Sequence, residues 1–381
     1  MPHRLTAWMF TRTVPYWRRH GVDKRHGGFH ERLDAARMPV DGDAKRVLVQ
    51  ARQIYTFCRT AELTDDRTAL DVARSGFDFL RDHCRHPDGG WRFAVTRDGG
   101  PVDDRRDLYA HAFVLLALAA YHHAEGDSSA HALAGETIAY LDGALADPAG
   151  GYREGIDGSG TALDGPRRQN PHMHLLEAFL EWFAVSGEPR WLDRARSMLD
   201  LFERRFFVDG SLREYFDDRF APAPGAAGRC VEPGHHFEWV WLLDRHRTLS
   251  GNADLSEEAE ALYRFALAHG IGPGHGGVID SVDNRGTVLQ AGRRLWPQAE
   301  AIKAHLVRWE ATGDDAAKSA LHRQVDALFS GHLDGAPVGA WREHLDENGE
   351  PCRDDLPASS LYHLCLAAAE LQRAGLTGSQ D

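Results

Sequence analysis

The sequence predicts an all-α protein, an (α/α)6 barrel of six inner and six outer helices with short β-hairpins on one rim. Three observations carry that expectation. A glycine motif recurs at near-constant spacing along the whole chain. Each copy follows an amphipathic segment of helical period and leads into a hairpin-like stretch. A second, more uniformly apolar helical segment then completes the unit.

The motif is "RHGGFHERL" around Gly28, "PDGGWRFAV" around Gly90 and "PAGGYREGI" around Gly151. It continues as "VDGSLREYF" at Gly210, "GHGGVIDSV" at Gly277 and "APVGAWREHL" at Gly339, the fourth and sixth copies keeping one glycine of the pair. The steps between these glycines are 62, 61, 59, 67 and 62 residues, so six units of about sixty residues account for the chain.

Ahead of the glycines, segments such as "ALDVARSGFDFLRDHC" and "WLDRARSMLDLFERRFF" place apolar residues at helical spacing and keep a polar stripe for water. After them, "WRFAVTRDGGPV" and "WREHLDENGEPC" alternate around Asp-Gly or Asn-Gly, which reads as β-hairpins. The second helices are "YAHAFVLLALAAYHHA", "MHLLEAFLEWFAV", "FEWVWLLDRH" and "YHLCLAAAELQRA". They are apolar nearly all round and should be buried. Six buried helices inside six amphipathic ones close into a toroid. An open solenoid of helix pairs is the alternative. Closure is preferred because helices this apolar do not suit an exposed concave face.

No Pro/Gly/Ser linker divides the units, so residues 1–381 are expected to form one (α/α)6-barrel domain. The richest such stretch, "RFAPAPGAAGRC" at 219–230, falls in the fourth hairpin-to-helix connection. The glycines are expected to let the chain reverse just past the C-cap of each outer helix.

Composition narrows the partners. The net charge is −13, and no Lys/Arg cluster is dense enough to track phosphates, which argues against nucleic acid. No run approaches the ~18 apolar residues of a membrane span. The N-terminal stretch lacks the apolar region of roughly 7–15 residues that a secretion signal needs. Cys58, Cys84, Cys230, Cys352 and Cys365 are scattered without a C-x-x-C pair. Reduced thiols in a cytoplasmic protein are expected.

If the hairpins share a rim, the first turns of the inner helices point into one pocket. Those turns bring Gln50 and Arg52; Tyr109 and His111; Asn170, His172, His174 and Glu177; His235, His236 and Glu238; Trp296, Gln298 and Glu300; and Tyr362 and His363. Aromatic faces beside many hydrogen-bonding heads suit a sugar. His235 and His363 stand out as acid–base groups because the repeat places each independently on that rim. His235 and Glu238, three apart on one helix face, can pair and hold one tautomer. His172, His174 and Glu177 admit a zinc reading, but no further ligand set accompanies them and no metal is expected. Arg52 suits a substrate oxygen. His83, His86, His122 and His123, at helix ends, are expected to be solvated.

At "QAR" (50–52), "NPHMHLLEA" (170–178), "PGHHFEW" (233–239), "WPQAE" (296–300) and "YHL" (362–364) the sequence resembles the N-acylglucosamine 2-epimerase superfamily, which includes cellobiose 2-epimerases and mannose isomerases. The motifs fall in the family's order across residues from about 50 to 370. The resemblance implies an (α/α)6 barrel, with His363 as the principal acid/base and His235 as the second, Glu238 beside it. It implies sugar contacts at Arg52, Asn170, His174 and Trp296; Tyr109 and Gln298 join them from the rim reading. The chain departs from the N-acylglucosamine enzymes in lacking a recognisable Gly-rich phosphate loop. Trp239 after Glu238 leans toward the mannose isomerase branch.

Such a site abstracts a proton alpha to a carbonyl. If one imidazole moves the proton from C2 to C1 of a cis-enediol, an aldose becomes a ketose, mannose becoming fructose. If the other reprotonates C2 from the opposite face, the product is the C2 epimer. Neither needs a cofactor. A glycoside hydrolase would need two carboxylates flanking the bond; Glu177, Glu238 and Glu300 could supply them, but imidazoles hold the best-placed heads. A non-catalytic sugar-binding module would have little use for two imidazoles there. The expected partner is a small unphosphorylated monosaccharide, with homodimerisation left open.

Overall fold

The protein was analysed as a computed structural model that describes residues 2–40, 42, 44–252, 255–274 and 276–376. In chain order its helices are α1 (His3–Trp8), α2 (Val14–His20), α3 (Val47–Thr64), α4 (Arg67–His83), α5 (Leu108–Glu125), α6 (Ser128–Tyr140) and α7 (Gln169–Ser186). They continue as α8 (Pro189–Leu201), α9 (Pro233–Ser250), α10 (Ser256–His269), α11 (Leu295–Thr312), α12 (Asp315–Leu328) and α13 (Leu361–Arg373). Strands of two or three residues fill the connections. Among the described residues no helix is long and apolar enough to cross a membrane.

The two helix types separate as their polarity requires. Along α5 every side chain from Ala110 to Tyr121 is buried. Along α8 only Trp191, Ala195, Met198, Leu199 and Leu201 are buried, a stripe at helical spacing. The inner helices α3, α5, α7, α9 and α11 each run 18 residues, about 27 Å at the α-helical rise. Aspartates open several outer helices: Asp66, Asp127 and Asp314 each accept a first-turn backbone N–H. Three outer helices, α6, α8 and α12, end in single π-turns (Leu141–Leu145, Phe202–Phe206 and Phe329–Leu333).

The chain forms two compact units. One comprises Arg18–Phe206 and Tyr215–Pro224. In it α3 packs on α5 and α5 on α7, and α4, α6 and α8 cover them in turn. Its hairpins include the antiparallel pairing of Ala94–Val95 with Pro101–Asp103 around the expected Asp-Gly turn. The other unit comprises Met1–Trp17, Phe207–Glu214 and Gly225–Asp381. There α9 packs on α11 and α11 on α13, with α10 and α12 covering α9 and α11. The N-terminal α1 packs on the C-terminal α13. Each unit thus holds three inner helices, each with an amphipathic partner.

The glycine pairs do not sit at the C-caps of the outer helices, as the sequence reading had it. Gly90 lies seven residues beyond His83, in the turn that starts the hairpin, with φ at +72°. A Cβ there would fall 2.8 Å from Nε2 of His111 and 2.5 Å from Tyr140. Gly151, φ +62°, would meet Nε2 of His172 at 2.7 Å. At these two positions glycine is required because the backbone is left-handed and a side chain of the next inner helix occupies the space of a Cβ.

Candidate active site

The fourth residue after the N-cap of an inner helix has one recurrent task. In α3 Gln50 Oε1 accepts the N–H of Phe29 at 2.7 Å, and its amide donates to the Phe29 carbonyl at 3.0 Å. In α5 His111 Nε2 accepts the N–H of Trp91 at 3.0 Å, while Nδ1 donates to the Asp107 carbonyl at 2.7 Å. His172 does the same in α7 for Tyr152 at 3.0 Å, and in α9 His236 Nε2 accepts the N–H of Leu212 at 3.2 Å. In α11 Gln298 accepts from Val278 at 2.7 Å and donates back at 2.8 Å. These five side chains bolt a hairpin to the inner helix that follows it. Burial holds His111 and His172 down at about 4 and His236 at about 3, so all three are neutral acceptors.

Two expectations change in consequence. Gln298 was read as a substrate contact, but its oxygen also accepts from Gln324 at 3.0 Å and its nitrogen also donates to the Arg294 carbonyl at 2.9 Å. Its hydrogen-bonding capacity is spent on the scaffold. His172 leaves the H-x-H ligand reading because both its ring nitrogens face backbone groups. Positions i and i+2 project to different faces of a helix, so His174 goes elsewhere.

In the unit containing α9, α11 and α13, two imidazoles flank one indole. The Trp296 ring centroid lies 4.8 Å from that of His235 and 5.6 Å from that of His363. His363 Nδ1 meets Glu300 Oε1 at 2.7 Å. Glu300 Oε2 is 2.7 Å from the ammonium of Lys303, one helical turn on, and both side chains are fully buried. That ammonium stands 3.7 Å from the Trp241 ring centroid. Tyr362, wholly buried, packs edge-on to His363.

His235 Nδ1 meets Glu214 Oε2 at 2.9 Å. Its carboxylate therefore comes from the fourth hairpin; the sequence reading had put Glu238 in that role. A second carboxylate, Glu232, stands 3.8 Å from the same nitrogen. Burial opposes charge on His235, but Glu214, then Glu232 and Glu238, raise it to about 9, so the ring is imidazolium at neutral pH. Glu238 groups instead with Glu300 and His363, their ligand atoms within 4.8 Å of one another. Those are donors a divalent ion could use, although the Lys303 ammonium already supplies positive charge at Glu300.

In the unit containing α3, α5 and α7, Arg52 donates to the Tyr109 hydroxyl at 2.8 Å, and its guanidinium stands 4.1 Å over the Phe113 ring. The His174 ring packs on Phe113 at 4.4 Å and Tyr109 at 5.3 Å, and its Nδ1 meets Glu177 Oε2 at 2.9 Å. Asn170 is half-buried in the first turn of α7. Of the histidines read as solvated, His83 and His123 are exposed and His122 is half-buried. His86 is buried against Arg106. Sequence reasoning missed Glu214, Glu232 and Lys303 as neighbours of the imidazoles. Only Lys303 left a signal, its i+3 spacing from Glu300.

A solved D-mannose isomerase crystal structure superimposes with a TM-score of 0.90 over 97% of each chain at 22% identity. The fold is accordingly an (α/α)6 barrel. The sequence matches the family model for N-acylglucosamine 2-epimerase (GlcNAc 2-epimerase) over residues 27–367, and the chain belongs to that family. A mannose-6-phosphate isomerase of Rhizobium meliloti (strain 1021) is 32% identical, covering 97% of this chain and 96% of the relative. A human N-acylglucosamine 2-epimerase is 28% identical over 94% and 87%. The chain is an enzyme of this isomerase and epimerase class.

Proposed function

We propose that the chain interconverts D-mannose and D-fructose, both unphosphorylated, by proton transfer through a cis-enediolate. The observation that carries this reading is the pair of imidazoles beside Trp296, each with its own carboxylate on Nδ1. A carboxylate on Nδ1 assigns Nε2 as the atom that exchanges a substrate proton. The charges around the two rings divide the roles. Glu300 faces Lys303, which offsets its charge at His363, whereas Glu214 and Glu232 reinforce each other at His235. His235, held protonated, gives its proton to the carbonyl oxygen O1 and recovers one from the O2 hydroxyl as the C2 carbonyl forms, and His363 is the base. His363 takes the C2 proton of the open-chain aldose and returns it to C1 on the same face. Glu238 accepts a hydroxyl, and Trp296 supplies a stacking face.

The carboxylates Glu214, Glu232, Glu238 and Glu300 outnumber the cations Lys303, Arg294 and the His235 imidazolium in this cluster, which favours a neutral sugar over a phosphate ester. Buried thiols at Cys58, Cys84 and Cys365 support a reducing, cytoplasmic setting.

The epimerase relative supports a second reading, in which the independently paired His235 reprotonates C2 from the opposite face. Mannose incubated in D2O separates the two. Fructose carrying deuterium at C1 is the expected first product, with little glucose at early times. C2-labelled glucose appearing first, with fructose late or absent, would establish the epimerase instead.

A further inference from the structure

The repeat shows how His235 acquires its carboxylate. In three units the acid of the hairpin caps the next inner helix and is then consumed by an arginine at the N-cap. Glu154 accepts the Arg168 N–H at 2.7 Å and its Nε–H at 2.7 Å. Asp280 accepts the Arg294 N–H at 2.8 Å and Nε–H at 3.0 Å. Glu31 takes the same two groups of Arg46. In the fourth unit Glu214 accepts the N-cap N–H at 3.3 Å, but the N-cap is Glu232. With no guanidinium on that residue, Glu214 Oε2 goes to His235, and Glu232 draws Arg294 to itself at 2.9 Å.

We propose that Glu232 is a positioning residue: an acid where three other units carry arginine, it leaves Glu214 to His235 and makes that imidazole the proton donor. The inference rests on the acid role given to His235 above. The groups facing the ring are Glu214 from the hairpin, Glu232 at the N-cap of α9, Glu238 from α9, and Trp296 from α11, with Arg294 at the N-cap of α11 held by Glu232 and Asp280. An N-cap arginine is compatible with this backbone, since Glu232 (φ −101°, ψ 110°) is extended as Arg46 and Arg168 are.

The test compares the parent with Glu232→Arg and Glu232→Gln by NMR titration of the His235 ring and by the pH profile of kcat/KM on the converted aldose. Loss of one nearby anion moves a titration midpoint by about one pH unit or more. In Glu232→Arg, where a guanidinium also competes for Glu214, the ring midpoint and the alkaline limb should both fall by at least that much. Glu232→Gln should move them the same way by less, and it carries the test if the arginine variant does not fold. A ring midpoint unchanged in both variants overturns the inference. The ring titration needs no turnover, so it decides this point even if the parent converts none of the aldoses offered. Ring midpoints that fall while the alkaline limb stays fixed overturn the donor role and leave the electrostatic effect established.

Discussion

Lys303 shows how much one buried residue can govern. Its ammonium and the Glu300 carboxylate are both wholly removed from water and stand 2.7 Å apart. Removing one partner of such a pair strands a buried charge, at a cost of about 3–5 kcal/mol, whereas removing both restores much of it. Lys303→Met should therefore lose about 3–5 kcal/mol in denaturant unfolding, and Lys303→Met with Glu300→Gln should be more stable than the single variant. A single variant within about 1 kcal/mol of the parent would mean that the pair is not held dry. That the lysine backs the Glu300–His363 pair was not legible in the sequence, because His363 lies 63 positions from Glu300.

At the level of the element, the unit is a helix, a glycine turn, a hairpin and a second helix bolted back by one polar side chain. Gln50 and Gln298 perform this task in two units, and His111, His172 and His236 in three. An amide accepts at any pH, but an imidazole accepts at Nε2 only while neutral. His111 has a folded value of about 4, below the unfolded value near 6.5. Its contribution is full above pH 6.5 and declines as pH falls toward 4, because the unfolded chain takes up the proton first. His111→Gln should therefore keep the fold and shift the acid unfolding midpoint to lower pH, followed by circular dichroism. A midpoint unmoved or raised would show that the bolt does not limit acid stability. Gly90 and Gly151, legible as members of a repeat, take their explanation from this contact rather than from helix termination.

Over the whole molecule, the net charge of −13 adds to the acid excess around the two imidazoles. A sugar phosphate dianion approaches against that field, and a neutral hexose does not. We expect kcat/KM to be higher for mannose than for mannose 6-phosphate, with the gap narrowing as salt is raised. A phosphate ester turned over faster than mannose at low salt would show that a cationic group receives it.

The sequence by itself determined the six-fold repeat, the division into buried and amphipathic helices, and the hairpin turns. These are written in periodicities of a few residues and in a spacing near sixty, and both survive in one dimension. It also nominated His235, His363, Arg52 and Trp296, because the repeat fixes where an inner helix begins. Only the tertiary structure decided the partners. Glu214 with His235, Glu300 with His363 and Arg52 with Tyr109 join residues 21, 63 and 57 positions apart. Gln298 and Glu238 look interchangeable with such groups along the chain, yet one is bound to a hairpin and the other gathers with Glu300 and His363. Helical period states which face a side chain leaves from. Whether that face meets a hairpin, a counter-ion or a second imidazole depends on packing between segments far apart in the chain, and the sequence pattern does not encode those distances.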